Sequence, residues 1–452
     1  MKSINPADNE IIFERSADTD TAVEEALSRA SSVFKSWKSK GFSERAEVLN
    51  RAADILDGRR DELAALATRE MGKRLAEAQA EVEKCAWVCR HYAEYAEHYL
   101  ADDRRDSDNP ESYVRYLPLG PVLAVMPWNF PYWQVFRFAA PTLMAGNTAL
   151  LKHASNVPQC ALAISEIFSQ AGAENGVFQT LLIGSGKVDS LIKDERIKAV
   201  SLTGSGPAGA AVAARAGDRI KPSLMELGGS DPFIVMPSAD LEQAVETGVK
   251  ARMINNGQSC IAAKRFIIHE DIYDDYVRQY VDRVETLKVG DPMDPETGMG
   301  PLSSKAILEE LTDQVKRAVD KGARILTGGE KTGSKGNYYR PTVLADIGPD
   351  NPAAVEEFFG PVALMFKAAS AEDAVKIANR SPFGLASSVW TNEQSECDLF
   401  IDEIEAGSTF INAMVASDPR LPFGGVKASG YGRELSREGI LAFVNAKSIV
   451  RA

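Results

Sequence analysis

The stretch Asn255-Asn256-Gly257-Gln258-Ser259-Cys260 sets a cysteine just after a glycine. Gly257 permits a turn that a residue with Cβ would resist, and loops on rigid elements are where reactive groups are presented. The chemistry open to Cys260 is nucleophilic attack by its thiolate. A lone cysteine is more often a small buried apolar residue, so its company must decide. Glu226, in Glu226-Leu227-Gly228-Gly229, is a carboxylate suited to general-base work. Asn129, in Met126-Pro127-Trp128-Asn129-Phe130-Pro131, reads locally as a turn residue between two prolines.

A glycine loop offers Glu226 a second role. Gly204-Ser205-Gly206-Pro207-Ala208-Gly209 follows a strand ending at Thr203 and opens a helix, matching G-x-G-x-x-G. Glu226 then stands about 20 residues on, where a dinucleotide fingerprint places its ribose-binding acid.

These residues need elements to carry them. Apolar spacing predicts helices over 21–37, 46–70 and 77–100, then a ribbon strand over 112–117. An alternating pattern follows: strands at 122–126, 149–152, 178–182 and 199–203, with helices at 131–145 and from a Ser155 or Asn156 cap to 168. The rhythm restarts with strand 233–235, helix 241–255, strand 266–269 and helix 273–287, and ends in strands at 362–366, 387–390, 408–412 and 442–450. The expected class is α/β with open, mainly parallel sheets.

The 452 residues suggest two to three domains. A net charge of -13 without a basic patch argues against nucleic acid or an anionic membrane as partner. The apolar span 122–146 is interrupted by Pro127, Pro131, Pro141 and Arg137, which makes it protein core rather than a membrane helix. The start, Met1-Lys2-Ser3-Ile4-Asn5-Pro6, carries no apolar run of signal length. Five cysteines form no disulfide framework and fit a reducing cytoplasm. Cys85, Cys89 and His91 are too few for a zinc site, so no metal is expected.

Six segments together resemble the aldehyde dehydrogenase superfamily. They are the 126–131 run, Gly204-Ser205 with Gly209, Glu226-Leu227-Gly228-Gly229, Gly257-Gln258-Ser259-Cys260, Glu356-Glu357-Phe358-Phe359-Gly360-Pro361, and Pro422-Phe423-Gly424-Gly425-Val426-Lys427-Ala428-Ser429-Gly430. Their order and spacing fit across nearly the whole chain, and the pattern is most similar to the bacterial, cyanobacterial-type succinate-semialdehyde branch. The resemblance implies a cofactor domain (1–102 and 119–228), a catalytic domain (229–436) and an oligomerisation element (103–118 and 437–452) that builds a homodimer or homotetramer. It assigns Cys260 as nucleophile, Asn129 with the Cys260 backbone N–H as oxyanion donors, and Glu226 as the base rather than a ribose ligand. Trp128, Lys152, Gly204 and Ser205 would meet the adenosine and pyrophosphate side of a nicotinamide cofactor, with Glu357 and Phe359 at its nicotinamide end.

One departure bears on the cofactor. Members that prefer NAD carry a glutamate three residues after the lysine, and this chain has Ser155. Lys152 with a neutral Ser155 suits the 2′-phosphate of NADP, which a carboxylate would repel. The expectation is NADP over NAD. For the substrate, Arg137 lies in an apolar helix, where an arginine normally has an anionic partner, protein or ligand. The resemblance favours a substrate carboxylate, with Ser259 and Ser417 beside it and Trp133 and Phe423 as apolar walls. A second arginine that some relatives carry is replaced by Ile254. The rival readings are an NAD-linked dehydrogenase of another small aldehyde, a non-catalytic dinucleotide-binding relative, and a cysteine hydrolase, for which no histidine partner is evident.

Overall fold

The computed structural model describes residues 1–452. Two open sheets dominate it. The first has the order Gly430–Tyr431, Ser223–Glu226, Ala199–Thr203, Pro121–Met126, Thr148–His153 and Phe178–Thr180, parallel except for the first strand. Its chain order reverses between Pro121–Met126 and Ala199–Thr203, and ligands of open α/β sheets gather beyond the carboxyl ends of strands at such a point. The turns at Trp128-Asn129 and Gly204-Ser205 leave from those two ends.

Strand burial explains why this sheet is covered on both faces. Val122, Ala124, Ala149 and Leu151 join the large core under the N-terminal helices. Leu123, Leu150, Val200 and Leu202 point into a second core on the other face. Successive strand side chains alternate in direction, so a continuous apolar run fills two cores at once.

The second sheet runs Arg324–Thr327, Thr342–Ala345, Val362–Ala368, Ala263–His269, Asp231–Val235, Ser387–Trp390 and Thr409–Ile411, with only the first pair antiparallel. Cys260 precedes the strand Ala263–His269. The carboxyl end of Ser223–Glu226 is joined to the start of Asp231–Val235 by the Leu227-Gly228-Gly229-Ser230 link, which brings the two sheets together. A third sheet pairs Val444–Arg451 antiparallel with Glu111–Pro118, from Val444↔Pro118 to Arg451↔Glu111.

Two expected elements differ. The helix over 46–70 is two helices, Phe42–Gly58 and Arg60–Met71. Arg59 leaves helical geometry at φ -110 and ψ 15, directly after Gly58, and its guanidinium turns onto Glu62 at 2.6 Å. The helix after residue 155 begins only at Pro158, so neither Ser155 nor Asn156 caps it. The carboxylate of Glu70 takes that role, accepting from Gln159 N at 3.1 Å and Cys160 N at 3.0 Å. Helices Lys305–Asp320, Ala371–Asn379 and Gln394–Glu403 lay outside the elements expected from the sequence.

Candidate active site

The cysteine turn is built from three consecutive left-handed residues: Asn255 (φ 55), Asn256 (φ 57) and Gly257 (φ 77). Asparagine tolerates that region because its short amide can bond locally. Asn255 Nδ2 donates to Asn129 O at 2.8 Å and Gln258 O at 2.9 Å, while Asn256 Nδ2 donates to Gly72 O and Pro301 O. At Gly257 a Cβ would stand 2.3 Å from the Gly360 carbonyl carbon, so sterics require glycine there as well as φ. The turn thus ties the Asn129 and Gly360 segments to the cysteine loop.

Cys260 is partly exposed at one cavity of about 210 Å³. Ser259, Trp133, Arg137, Ser417 and Phe423 line the same cavity, and Ile254 lines it where some relatives carry arginine. Around the thiol, burial pushes the pKa up to about 12, against the opposing pull of Lys264 and Arg137. The resting cysteine is therefore a thiol rather than a thiolate. Lys264, which sequence reasoning passed over, is fully buried; its Nζ donates to Ser259 O at 2.7 Å and Cys260 O at 2.6 Å.

Neither Asn129 nor Glu226 is on the wall of that cavity. Asn129 is buried, and its Nδ2 donates to Gln258 O at 3.2 Å, two residues before the cysteine. Glu226 ends its strand with a buried carboxylate whose Oε1 has no hydrogen-bond partner. Burial, then the neighbouring Glu434 carboxylate, raises its pKa well above the usual range, while Arg137 and Arg433 act in the opposite direction. Its carboxylate also raises the Cys260 pKa, so the two groups sense each other. Gly424, at φ +154, leaves room for it: a Cβ there would lie 2.7 Å from Glu226 Oε1.

Arg137 is on the cavity wall and also faces a buried carboxylate. The structure supplies a protein partner: its Nε pairs with Glu434 Oε2, both side chains almost wholly buried. Its guanidinium also stacks 4.6 Å from the Phe423 ring centroid. The pair shares the arginine's charge with Glu434, yet Arg137 still pulls down the Cys260 pKa from the cavity wall. The sequence pointed to an anionic partner for Arg137 but could not show that Glu434, some three hundred residues on, supplies it.

The cavity holds a second cation absent from the sequence reading. Lys84, on the helix Leu75–Tyr99, lines it, donates to Ser417 Oγ at 2.8 Å and lies 4.5 Å from the Trp133 ring centroid. Burial, followed by the nearby Arg137 charge, lowers its pKa to about 8. The signal was faint, because Lys84 sits in a mixed helix without a local motif.

The remaining residues group around the turns at the strand ends. Lys152 is nearly buried and makes no ion pair, and burial lowers its pKa; Ser155 is exposed three residues on. Gly204 and Ser205 open the helix Gly206–Asp218, and Ser205 is exposed at its N-terminus. Gly209 packs against Leu227, where a Cβ would meet Leu227 Cδ2 at 2.4 Å, whereas Gly206 has nothing within 4 Å. The second glycine of the apparent fingerprint thus carries no steric requirement. Glu357 accepts from Gly229 N at 3.1 Å and pairs with Lys264 at 3.5 Å. Its neighbour Glu356 is committed instead to Arg317 at 2.6 Å. Phe359 meets Trp128 edge to face at 5.7 Å between centroids.

Residues 1–449 match the aldehyde dehydrogenase family. The chain belongs to this family. It is 53% identical over 452 residues to succinate-semialdehyde dehydrogenase [NADP(+)] 1 of Mycobacterium bovis, covering 99% of both chains. It is also 53% identical over 449 residues to a probable succinate-semialdehyde dehydrogenase [NADP(+)] of Synechocystis, again over 99% of each. Among solved structures it matches succinic semialdehyde dehydrogenase of Streptococcus pyogenes in complex with NADP+, at 39% identity and a TM-score of 0.98, covering 100% of this chain and 99% of that one. The α/β fold expected from the sequence is that of the family.

Proposed function

We propose that the protein oxidises succinate semialdehyde to succinate with NADP, the reaction that its relatives' names carry. The observation that supports it best is that one cavity is lined by Cys260, by the polar pair Ser417 and Lys84, and by the rings of Trp133 and Phe423.

Residues around the strand ends fit a phosphorylated nicotinamide cofactor. Lys152 is a nearly buried cation in no ion pair, Ser155 has been released from capping by Glu70, and no acid stands at position 155. Lys152 and Ser155 would hold the 2′-phosphate, and Ser205 at a helix N-terminus the pyrophosphate. Trp128 and Gly204 would border the adenosine side, and Glu357 and Phe359 the nicotinamide end. The cofactor supplies the hydride acceptor.

Burial raises the pKa of both Cys260 and Glu226. Cys260 Sγ attacks the aldehyde carbon, giving a thiohemiacetal. Asn129 Nδ2 and the Cys260 backbone N–H stabilise the developing oxyanion. After loss of hydride, the resulting thioester is hydrolysed by a water from which Glu226 takes a proton. Ser259, Trp133 and Phe423 shape the cavity around the aldehyde, and Arg137, held by Glu434, fixes the Phe423 face.

We also propose the division into a cofactor domain (1–102 and 119–228), a catalytic domain (229–436) and a pairing element (103–118 and 437–452). The ribbon of Glu111–Pro118 and Val444–Arg451 exposes Leu117 and Val450, which suits a contact between copies. The test of the activity is a panel of succinate semialdehyde, an unsubstituted aliphatic aldehyde and betaine aldehyde, each with NADP and NAD. A clear preference for succinate semialdehyde with NADP is expected. Equal or better kcat/KM with betaine aldehyde or with NAD refutes the assignment.

A further inference from the structure

The charges around the Cys260 cavity are paired with one exception. Arg137 is bound to Glu434. Glu81 is bound to Lys73 and accepts from Tyr132 N at 2.8 Å and Trp133 N at 2.9 Å. Asp418, next to the cavity loop, is bound to Arg420 at 2.6 Å. Lys84 lines the cavity with no carboxylate partner; its ammonium has only Ser417 Oγ and the face of Trp133. An ammonium in a largely apolar cavity is costly unless an anion joins it, and a hydroxyl and an aromatic face compensate only in part.

We propose that Lys84 is the charged ligand of the substrate's terminal carboxylate, with Ser417 as its hydroxyl partner. This inference rests on the reading of the substrate as an aldehyde bearing a distal carboxylate. Lys84 Nζ has three N–H groups, and Ser417 Oγ occupies one, leaving donors for a carboxylate. Ser417 Oγ accepts from Lys84, so its own proton is free to be donated to the same anion. Arg137 lines the same cavity with its Nε held by Glu434, so Lys84 is the cation there without a carboxylate of its own.

The groups that set the Lys84 charge lie on three elements. Glu81 on its own helix and Asp418 on the loop favour the ammonium; Arg137 on the facing helix Trp133–Met144 opposes it, and burial opposes it most. Below about pH 8 Lys84 is an ammonium, and above it the charge is progressively lost.

The test compares kcat/KM for succinate semialdehyde with that for butanal, an uncharged aldehyde of equal carbon count, in the holoenzyme. In the wild type the acid-to-butanal ratio is large and falls as pH rises above about 8. Lys84→Met lowers the ratio by about 10–100-fold, through KM rather than kcat, and removes its pH dependence. Lys84→Arg restores most of the ratio. Calorimetric titration of the protein with succinate shows binding to wild type and Lys84→Arg and its loss in Lys84→Met, a readout independent of turnover. A wild type with no preference for the acid refutes the substrate reading itself. A preference that survives in Lys84→Met with unchanged succinate affinity overturns the role of Lys84 while leaving that reading intact.

Discussion

The ionisation of Cys260 can be measured without substrate. With its pKa pushed up to about 12, thiolate is scarce at pH 7, on the order of one molecule in 10⁵. An ordinary cysteine with a pKa near 8.5 would be a few per cent thiolate at that pH. The difference, about three powers of ten, corresponds to roughly 4–5 kcal/mol of penalty on the charged form. A more basic thiolate is intrinsically more nucleophilic, which recovers about 20–50-fold of that loss toward a disulfide probe. Cys260 should therefore react with 4,4′-dithiodipyridine roughly 50–100-fold more slowly than a free cysteine at pH 7. Its rate should climb about tenfold per pH unit from 7 to 10 without levelling. Cys85, Cys89 and Cys160 are fully buried, so peptide mapping need separate only Cys260 from Cys397. Glu226→Gln removes a carboxylate that raises the Cys260 pKa, so it should speed labelling at fixed pH. A rate that plateaus below pH 8 would show a resting thiolate and refute the account of a buried, protonated nucleophile.

Three further outcomes follow from the same geometry. Ser155→Glu should swing the NADP-to-NAD ratio of kcat/KM by about 10–1000-fold toward NAD, measured by initial rates, because the new carboxylate would oppose a phosphate while accepting from a ribose hydroxyl; an equal loss for both cofactors would point to damage at the turn. Gly257→Ala should destabilise the fold by about 2–4 kcal/mol, seen as a lower Tm, since it adds a strained φ and a clash with the Gly360 carbonyl. Glu434→Gln removes a carboxylate that raises the Glu226 pKa; because the base must be deprotonated, activity should persist to lower pH, and the acid limb of the kcat profile reports the shift.

Much of this site was legible in the chain because its parts announce themselves locally. Gly257 before Cys260, and the strand–glycine–helix passage at Thr203-Gly204-Ser205, are constraints that a few adjacent residues impose. The strands filled by unbroken apolar runs, such as Ala199–Thr203, were equally plain. What escaped was set by distant partners. Glu70 caps the helix at Pro158 from another helix, so Ser155 looked like its cap. Glu434 reaches Arg137 from some three hundred residues away, so the sequence left open whether protein or ligand would face the arginine. Lys84 and Lys264 carry no motif, and only packing brings them to the cavity and the cysteine carbonyl. The break at Arg59 was hidden because Ala46 to Glu70 keeps a helical apolar spacing on both sides of it.

The central claim is that Cys260 carries the acyl group and Glu226 releases it. Glu226→Gln, mixed with succinate semialdehyde and NADP and then acid-quenched, should gain the mass of one succinyl group, and peptide mapping should place it on Cys260. Reduced cofactor should appear in a burst of about one equivalent per active site, followed by slow turnover. Steady turnover with unmodified Cys260, or an adduct on another residue, would contradict the account.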